Sequence, residues 1–77
     1  MEKKPIPLIN LHKHQTARII DLQGGHQFQR RLHVMGIRKG QTIRVVSKQP
    51  FNGPLTVAVC GCQMTLGRGM AQKILVE

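Results

Sequence analysis

The sequence predicts a small, mainly β domain: an antiparallel five-stranded barrel with one short α-helix and a C-terminal helical turn. Apolar and polar residues alternate over Thr42–Lys48 and over residues 55–60, which is typical of half-buried strands. One segment, His26–Met35, instead has helical spacing, and Gly36 follows it at once. A chain of 77 residues has room for a single domain, residues 1–77, with one core.

The segment before the helix holds one predicted strand. Residues 1–5 are expected to be a loose tail. Residues 6–11 form either a short helical turn or an extended lead-in, because Pro7 is tolerated only in the first turn of a helix. A β-like run then starts at Thr16 and ends at the glycine pair of residues 24–25.

The predicted helix carries one apolar stripe. Phe28, Leu32 and Met35 are spaced at i, i+4 and i+7, so they share a face that packs on the core. Gly36 favours a left-handed stop, since it has no Cβ. Gly40 closes a second turn before the next strand.

The second half of the chain supplies the remaining strands. Residues 49–54 form a loop, in which the Asn52–Gly53 pair favours positive φ. The strand of residues 55–60 is followed by a strand that contains Met64 and Leu66. Residues 67–72 are predicted to form a helical turn, and Ile74–Val76 a terminal strand.

The charge balance indicates an anionic partner. Twelve Lys and Arg residues against three Asp and Glu residues give a net charge of +9. Such a field favours nucleic acid, anionic lipid headgroups or an acidic protein surface. The sequence contains no apolar run near the ~20 residues of a membrane span and no signal-peptide pattern, so we expect a soluble protein in the cytoplasm.

The residue inventory argues against an enzyme. Asp21 is the only acidic residue between Glu2 and Glu77, which almost excludes paired carboxylates for general acid–base catalysis. The sequence offers no Ser/His/Asp set and no phosphate-binding glycine motif. We therefore expect a binding protein without a catalytic site.

One motif carries a family resemblance. The pattern R-R-L-x-x-M-G-I-x-x-G runs from Arg30 to Gly40, and further matches extend it from about Leu8 to Glu77. They comprise Ala17-Arg18-Ile19, Gly24–Gly25, Ile43, Val45, Pro50, Gly53-Pro54, Val57-Ala58-Val59, Gly61, Leu66-Gly67, Ala71 and Ile74. The chain resembles the FeoA family, small cytosolic components of ferrous iron uptake. The same domain occurs at the C-terminus of some DtxR-type metal-responsive repressors.

The resemblance implies both a fold and a partner. It implies an SH3-like barrel, which agrees with the pattern of five strands. It also implies a non-enzymatic partner of FeoB, the membrane transporter that carries Fe(II) and has a cytosolic GTPase domain.

Four residues around the helix are candidates for partner binding. Arg30 and Arg31 lie off the apolar stripe, either as an ordinary solvated face or as an anchor for carboxylates. Val34 points away from the stripe, and Ile37 follows the helix stop, so we expect both to form an exposed docking patch.

Two cysteines and two histidines are candidate ligands for Fe(II) or Zn. A two-residue Cys60–Gly61 turn would place Cys60 at an exposed tip and Cys62 on the inward face with Val59, Met64 and Leu66. The two sulfurs would then diverge. Zinc sites normally combine two ligand pairs, so His12 and His14 would have to complete the set. The favoured interpretation is therefore no bound metal or other cofactor, with Cys62 as a buried cysteine and Cys60 as a loop thiol.

Three functions compete. The first is an interaction module that docks on FeoB. The second is a small basic barrel that binds nucleic acid non-specifically. This is disfavoured because the chain has no Trp or Tyr, and because Phe28 is assigned to the core, which leaves Phe51 alone for stacking. The third is a metal-binding domain related to the repressors, although 77 residues leave no DNA-reading helix pair.

Overall fold

The structure, a computed structural model, describes residues 4–51 and 53–77. Within these ranges the elements are β1 (Ile6–Pro7), a 3-10 helix (Leu8–Asn10), β2 (Thr16–Leu22), α1 (His26–Met35), β3 (Thr42–Lys48), β4 (Leu55–Val59), β5 (Cys62–Leu66), α2 (Arg68–Gln72) and β6 (Ile74–Val76). The strands form one sheet in the order β1-β6-β2-β3-β4-β5, with every neighbouring pair antiparallel. The prediction of a mainly β, antiparallel domain is confirmed.

The predicted count of five strands is wrong by one in the described residues. Ile6 pairs with Val76 and Pro7 with Leu75, which makes the lead-in a two-residue edge strand before it turns into the 3-10 helix. Two extended residues are too few to show an alternating pattern, and their partner strand lies at the far end of the sequence. The predicted tail is only partly described, since Lys4 has no regular structure and residues 1–3 lie outside the described residues.

Strand β2 joins the two halves of the sheet. Its first residues, Thr16–Arg18, pair with β3, whereas its later residues pair with β6. The register between β2 and β6 shifts between Ile19 and Asp21. The register between β3 and β4 shifts likewise between Val45 and Ser47. Such irregularities bend strands, so the sheet curves around its apolar side.

Among the described residues, fifteen buried apolar residues form the core, and every strand except the edge strand β1 contributes to it. The alternation predicted for β3 is observed, because Ile43 and Val45 are buried while Arg44 is exposed. Of β5, the other edge strand, only Leu66 is fully buried. The core therefore lies mainly under β2, β3, β4 and β6.

Helix α1 packs on the core by the predicted stripe. Leu32 is fully buried, and Phe28 and Met35 are partly buried against the same cluster. The ammonium group of Lys73 lies 5.0 Å from the centre of the Phe28 ring, a cation–π distance. The opposite side of α1 is left facing outward.

The loop between β3 and β4 differs in one detail from its prediction. Phe51, with a φ of 57°, is a non-glycine residue in the left-handed region, and Gly53 is not in that region. Asn52, for which positive φ was also predicted, lies outside the described residues. The amide of Gly53 donates to the carbonyl of Pro50 at 3.3 Å, so a turn is present at the predicted place.

Candidate functional site

The outward side of α1 presents two arginines and an apolar side chain together. We call Arg30, Arg31 and Val34 the basic helix face. All three are exposed, and Val34 is 83% exposed, which is unusual for a large aliphatic residue. Residues three and four apart are neighbours on a helix surface, so Val34 lies beside both arginines. The expectation of an exposed Val34 is confirmed.

No carboxylate among the described residues forms an ion pair with this face. Helix α1 contains no Asp or Glu. In the described part of the chain one ion pair is present, between Lys39 Nζ and Asp21 Oδ1 at 3.4 Å, and it does not involve α1. Helical surfaces are commonly stabilised by pairs of opposite charge at i, i+4, and this one has none. The face is therefore suited to an acidic surface supplied from outside.

A shallow cleft extends this face toward the start of the helix. It has a volume of about 260 Å³ and is lined by His26, Gln29, Arg30 and His33. These positions follow an i, i+3, i+4, i+7 series, which places them on one face of the helix. Neither histidine was predicted as a site residue, although this polar stripe could have been found from their helical spacing.

The expectation that Ile37 forms an exposed docking patch is wrong. Ile37 is fully buried in the core cluster together with Leu32. Gly36 has a φ of 92°, and this left-handed residue turns the chain back on the helix. The amide of Ile37 then donates to the carbonyl of Leu32 at 2.9 Å, and that of Gly36 to His33 at 3.0 Å.

This hydrogen-bond pair is the Schellman motif, in which the second residue after the helix packs beside the residue five positions earlier. The signal for a buried Ile37 was therefore present in the sequence, as an apolar residue directly after a helix-ending glycine. The docking candidates that remain are the three residues of the basic helix face.

The candidate metal-ligating residues lie in two separate places. His12 and His14 are exposed in the loop before β2, where the amide of His14 donates to the carbonyl of Val45 at 2.7 Å. Cys60 lies at the other end of β3, where Gln41 Nε2 donates to its Sγ at 3.4 Å. Val45 lies four positions after Gln41 along extended chain, a span of about 13 Å.

The histidine pair and the cysteine pair are therefore not brought together. Within residues 4–51 and 53–77, no three His, Cys, Asp or Glu side chains are grouped so that they could hold a metal ion. The arrangement offers at most the two thiols of one hairpin end, which is half of an ordinary zinc ligand set.

The cysteine turn has the predicted backbone but not the predicted burial. Val59 pairs with Cys62 across a two-residue turn, in which Cys60 has a φ of 53° and Gly61 a φ of 80°. Cys60 is exposed at the tip, as expected. Cys62 lies on the predicted inward face, because it pairs with Val59 and shares its side of β5 with Met64 and Leu66. It is nevertheless exposed, so the interpretation as a buried cysteine is wrong. It begins the edge strand β5 directly after the turn, where β4 is its one neighbouring strand.

The described elements include no helix with the length and apolarity needed to cross a membrane. The longest, α1, has ten residues, and two of them are arginines.

Comparison with known proteins gives a consistent result. The FeoA domain family matches residues 6–77. A protein of Methanocaldococcus jannaschii named "Putative Fe(2+) transport protein A" is 32% identical over 71 residues, which cover 92% of this chain and 84% of that protein.

Solved structures agree with the family match. A crystal structure of an iron uptake regulatory protein, FeoA, superposes with a TM-score of 0.86 at 27% identity and covers 97% of each chain. A manganese-dependent transcriptional repressor gives a TM-score of 0.86 at 25% identity, with 94% of this chain matching 40% of that one. The predicted SH3-like fold and the relationship to a domain of metal-responsive repressors are confirmed. With nearly all of its length matched, this chain belongs to the FeoA family.

Proposed function

We propose that this protein is a cytosolic accessory of ferrous iron uptake that acts by binding, without catalysis, to the cytosolic region of the FeoB transporter. The observation that carries the proposal is the basic helix face on a member of the FeoA family. A relative that covers most of the chain is named for Fe(2+) transport, which supports the same process.

The basic helix face has the chemistry of a docking surface. Arg30 and Arg31 can each pair bidentately with a carboxylate, and Val34 adds an exposed apolar contact between them. Arginine is enriched at interface hot spots, where loss of one anchor often costs about 2 kcal/mol or more. An acidic patch with a small apolar centre is the complementary surface expected on the transporter.

The proposal is tested by measuring the affinity of the purified chain for the cytosolic domain of FeoB. Arg30→Glu should weaken binding at least about tenfold, because it places like charges at the contact. Val34→Asp should weaken it in the same direction by removing the apolar contact. Both side chains are exposed, so the melting temperature should hardly change.

The matched control is Arg44→Glu, which makes the same charge reversal on the exposed outer face of β3. Its binding should stay close to that of the parent chain. Equal losses for Arg30→Glu and Arg44→Glu would show that only net charge matters, and the basic helix face would no longer be the docking surface. Unchanged binding by Arg30→Glu would contradict the proposal directly.

A further inference from the structure

A second cleft, away from α1, contains two cationic side chains. It has a volume of about 260 Å³ and lies between the 3-10 helix, the end of β3 and the start of α2. Lys48 and Arg68 line it together with Asn10, and the aliphatic side chains of Ile9 and Leu55 form part of its wall. No residue of the basic helix face contributes to it.

Lys48 is held in a defined position in this cleft. Its Nζ donates to the carbonyl of Ile9 at 2.8 Å and to that of Leu11 at 3.0 Å. An ammonium group has three N–H donors, so one remains for a ligand. Because these bonds already order the long side chain, an anion that binds here meets a positioned charge and the entropic cost of binding is reduced.

The cleft has two positive charges and no negative one among its described lining. Arg68 is half-buried at the first position of α2, and neither it nor Lys48 takes part in the ion pair found among residues 4–51 and 53–77, which lies at Lys39 and Asp21. Two cationic side chains that line one cleft repel each other, and an anion bound between them would relieve this repulsion. The cleft is therefore electrostatically complementary to an anionic group.

We propose that this cleft binds a glutamate or aspartate side chain from an acidic segment of a protein partner. Arg68 supplies a planar guanidinium that matches a carboxylate, and the free N–H of Lys48 supplies a second charged donor. Ile9, which is half-buried, offers apolar contact to the methylene groups of such a side chain.

The shape of the cleft favours a side chain over a nucleotide. Its volume falls just below the roughly 300 to 1,000 Å³ of ordinary small-molecule pockets. No aromatic residue is among its described lining, so it has no platform on which a base could stack. A single acidic side chain and its backbone match both properties.

The proposal is tested by nuclear magnetic resonance titration of the full-length chain. The probe is the acetylated, amidated tripeptide Glu-Glu-Glu, compared with Gln-Gln-Gln and with inorganic phosphate. The glutamate peptide should cause saturable shifts at the amides of Asn10, Gln49 and Arg68, and the glutamine peptide should not. Arg68→Gln should weaken binding about tenfold, because a charged hydrogen-bond partner is lost, whereas Arg68→Lys should weaken it less.

Arg44→Gln is the matched control, since it removes one positive charge from an exposed position outside the cleft. Its affinity should change by no more than about twofold. Equal losses for Arg68→Gln and Arg44→Gln, or shifts spread over all basic surfaces, would overturn the proposal. Saturation of the cleft by phosphate with no effect of the glutamate peptide would also overturn it. The test uses no transporter, so its outcome is independent of docking by the basic helix face.

Discussion

Gly36 has a backbone angle that L side chains rarely adopt. Its φ is 92°, and an added Cβ would meet no atom within 4 Å, so the cost of a substitution is purely conformational. Gly36→Ala should therefore lower the free energy of unfolding by about 1 kcal/mol, measured by urea denaturation.

Gly69→Ala is the control for this substitution. Gly69 lies inside α2 with no atom near its absent Cβ and without a positive φ. Alanine at that position should stabilise the protein by about 0.5 kcal/mol. If both substitutions changed the free energy of unfolding in the same direction, the positive φ of Gly36 would not explain the loss of stability in Gly36→Ala.

Ile37 and Val34 are close in sequence but opposite in burial. Ile37 is fully buried, whereas Val34 is 83% exposed. Ile37→Ala should lower the free energy of unfolding by about 2 to 4 kcal/mol, because it leaves a cavity in the core. Val34→Ala should change it by less than about 0.5 kcal/mol. Thermal unfolding of the two variants measures this contrast, and a comparable loss for Val34→Ala would contradict the structure.

At the level of elements, local sequence patterns predicted the bounds of helices and strands better than they predicted which strands pair. The bounds of α1, β3 and β6 agree with the sequence prediction, because helical and alternating periods are contained within each segment. The pairing of Ile6 with Val76 joins distant parts of the chain, so no local pattern could reveal β1. The exposure of Cys62 depends on β5 being an edge strand, which is a property of the sheet order.

The turn between β4 and β5 contains an unfavourable residue. Cys60 has a φ of 53° in a turn of the type that favours asparagine at its first position. Cys60→Asn should raise the free energy of unfolding by about 0.5 kcal/mol, even though it removes the weak hydrogen bond from Gln41. Denaturation in reducing buffer measures the effect.

Cys62→Ser serves as the control for Cys60→Asn. Cys62 is equally exposed but lies in β5 rather than in the turn, so its replacement should bring no comparable gain. A gain for Cys62→Ser of the same size would indicate a general effect of thiol removal, and turn strain would be rejected.

At the scale of the molecule, the net charge of +9 predicts a weak attraction to nucleic acid. The described residues include one fully exposed aromatic side chain, Phe51 at 97%. Binding to single-stranded DNA should therefore be independent of sequence and fall steeply between about 50 mM and 200 mM salt. Fluorescence anisotropy with two oligonucleotides of different sequence measures this. Salt-resistant binding that prefers one sequence would favour the nucleic-acid function instead.

The candidate sites were only partly predictable. Arg30, Arg31 and Val34 could be found because their position on α1 follows from helical periodicity alone. The cleft of Lys48 and Arg68 could not, because it brings together the 3-10 helix, β3 and α2 from separate parts of the chain. The separation of the histidine pair from the cysteine pair likewise depends on where each pair lies along β3.

The pairing of β1 with β6 places the two ends of the folded domain side by side, with Ile6 opposite Val76. A short flexible linker could therefore join residue 77 to residue 4 without crossing the molecule. New ends could then be opened at the exposed turn of Cys60 and Gly61, which lies at the opposite end of β4 from Leu55 in the cleft lining. Such a circular permutant should keep the same sheet with a new strand order along the chain, and a reporter attached at the hairpin tip would lie away from the cleft of Lys48 and Arg68.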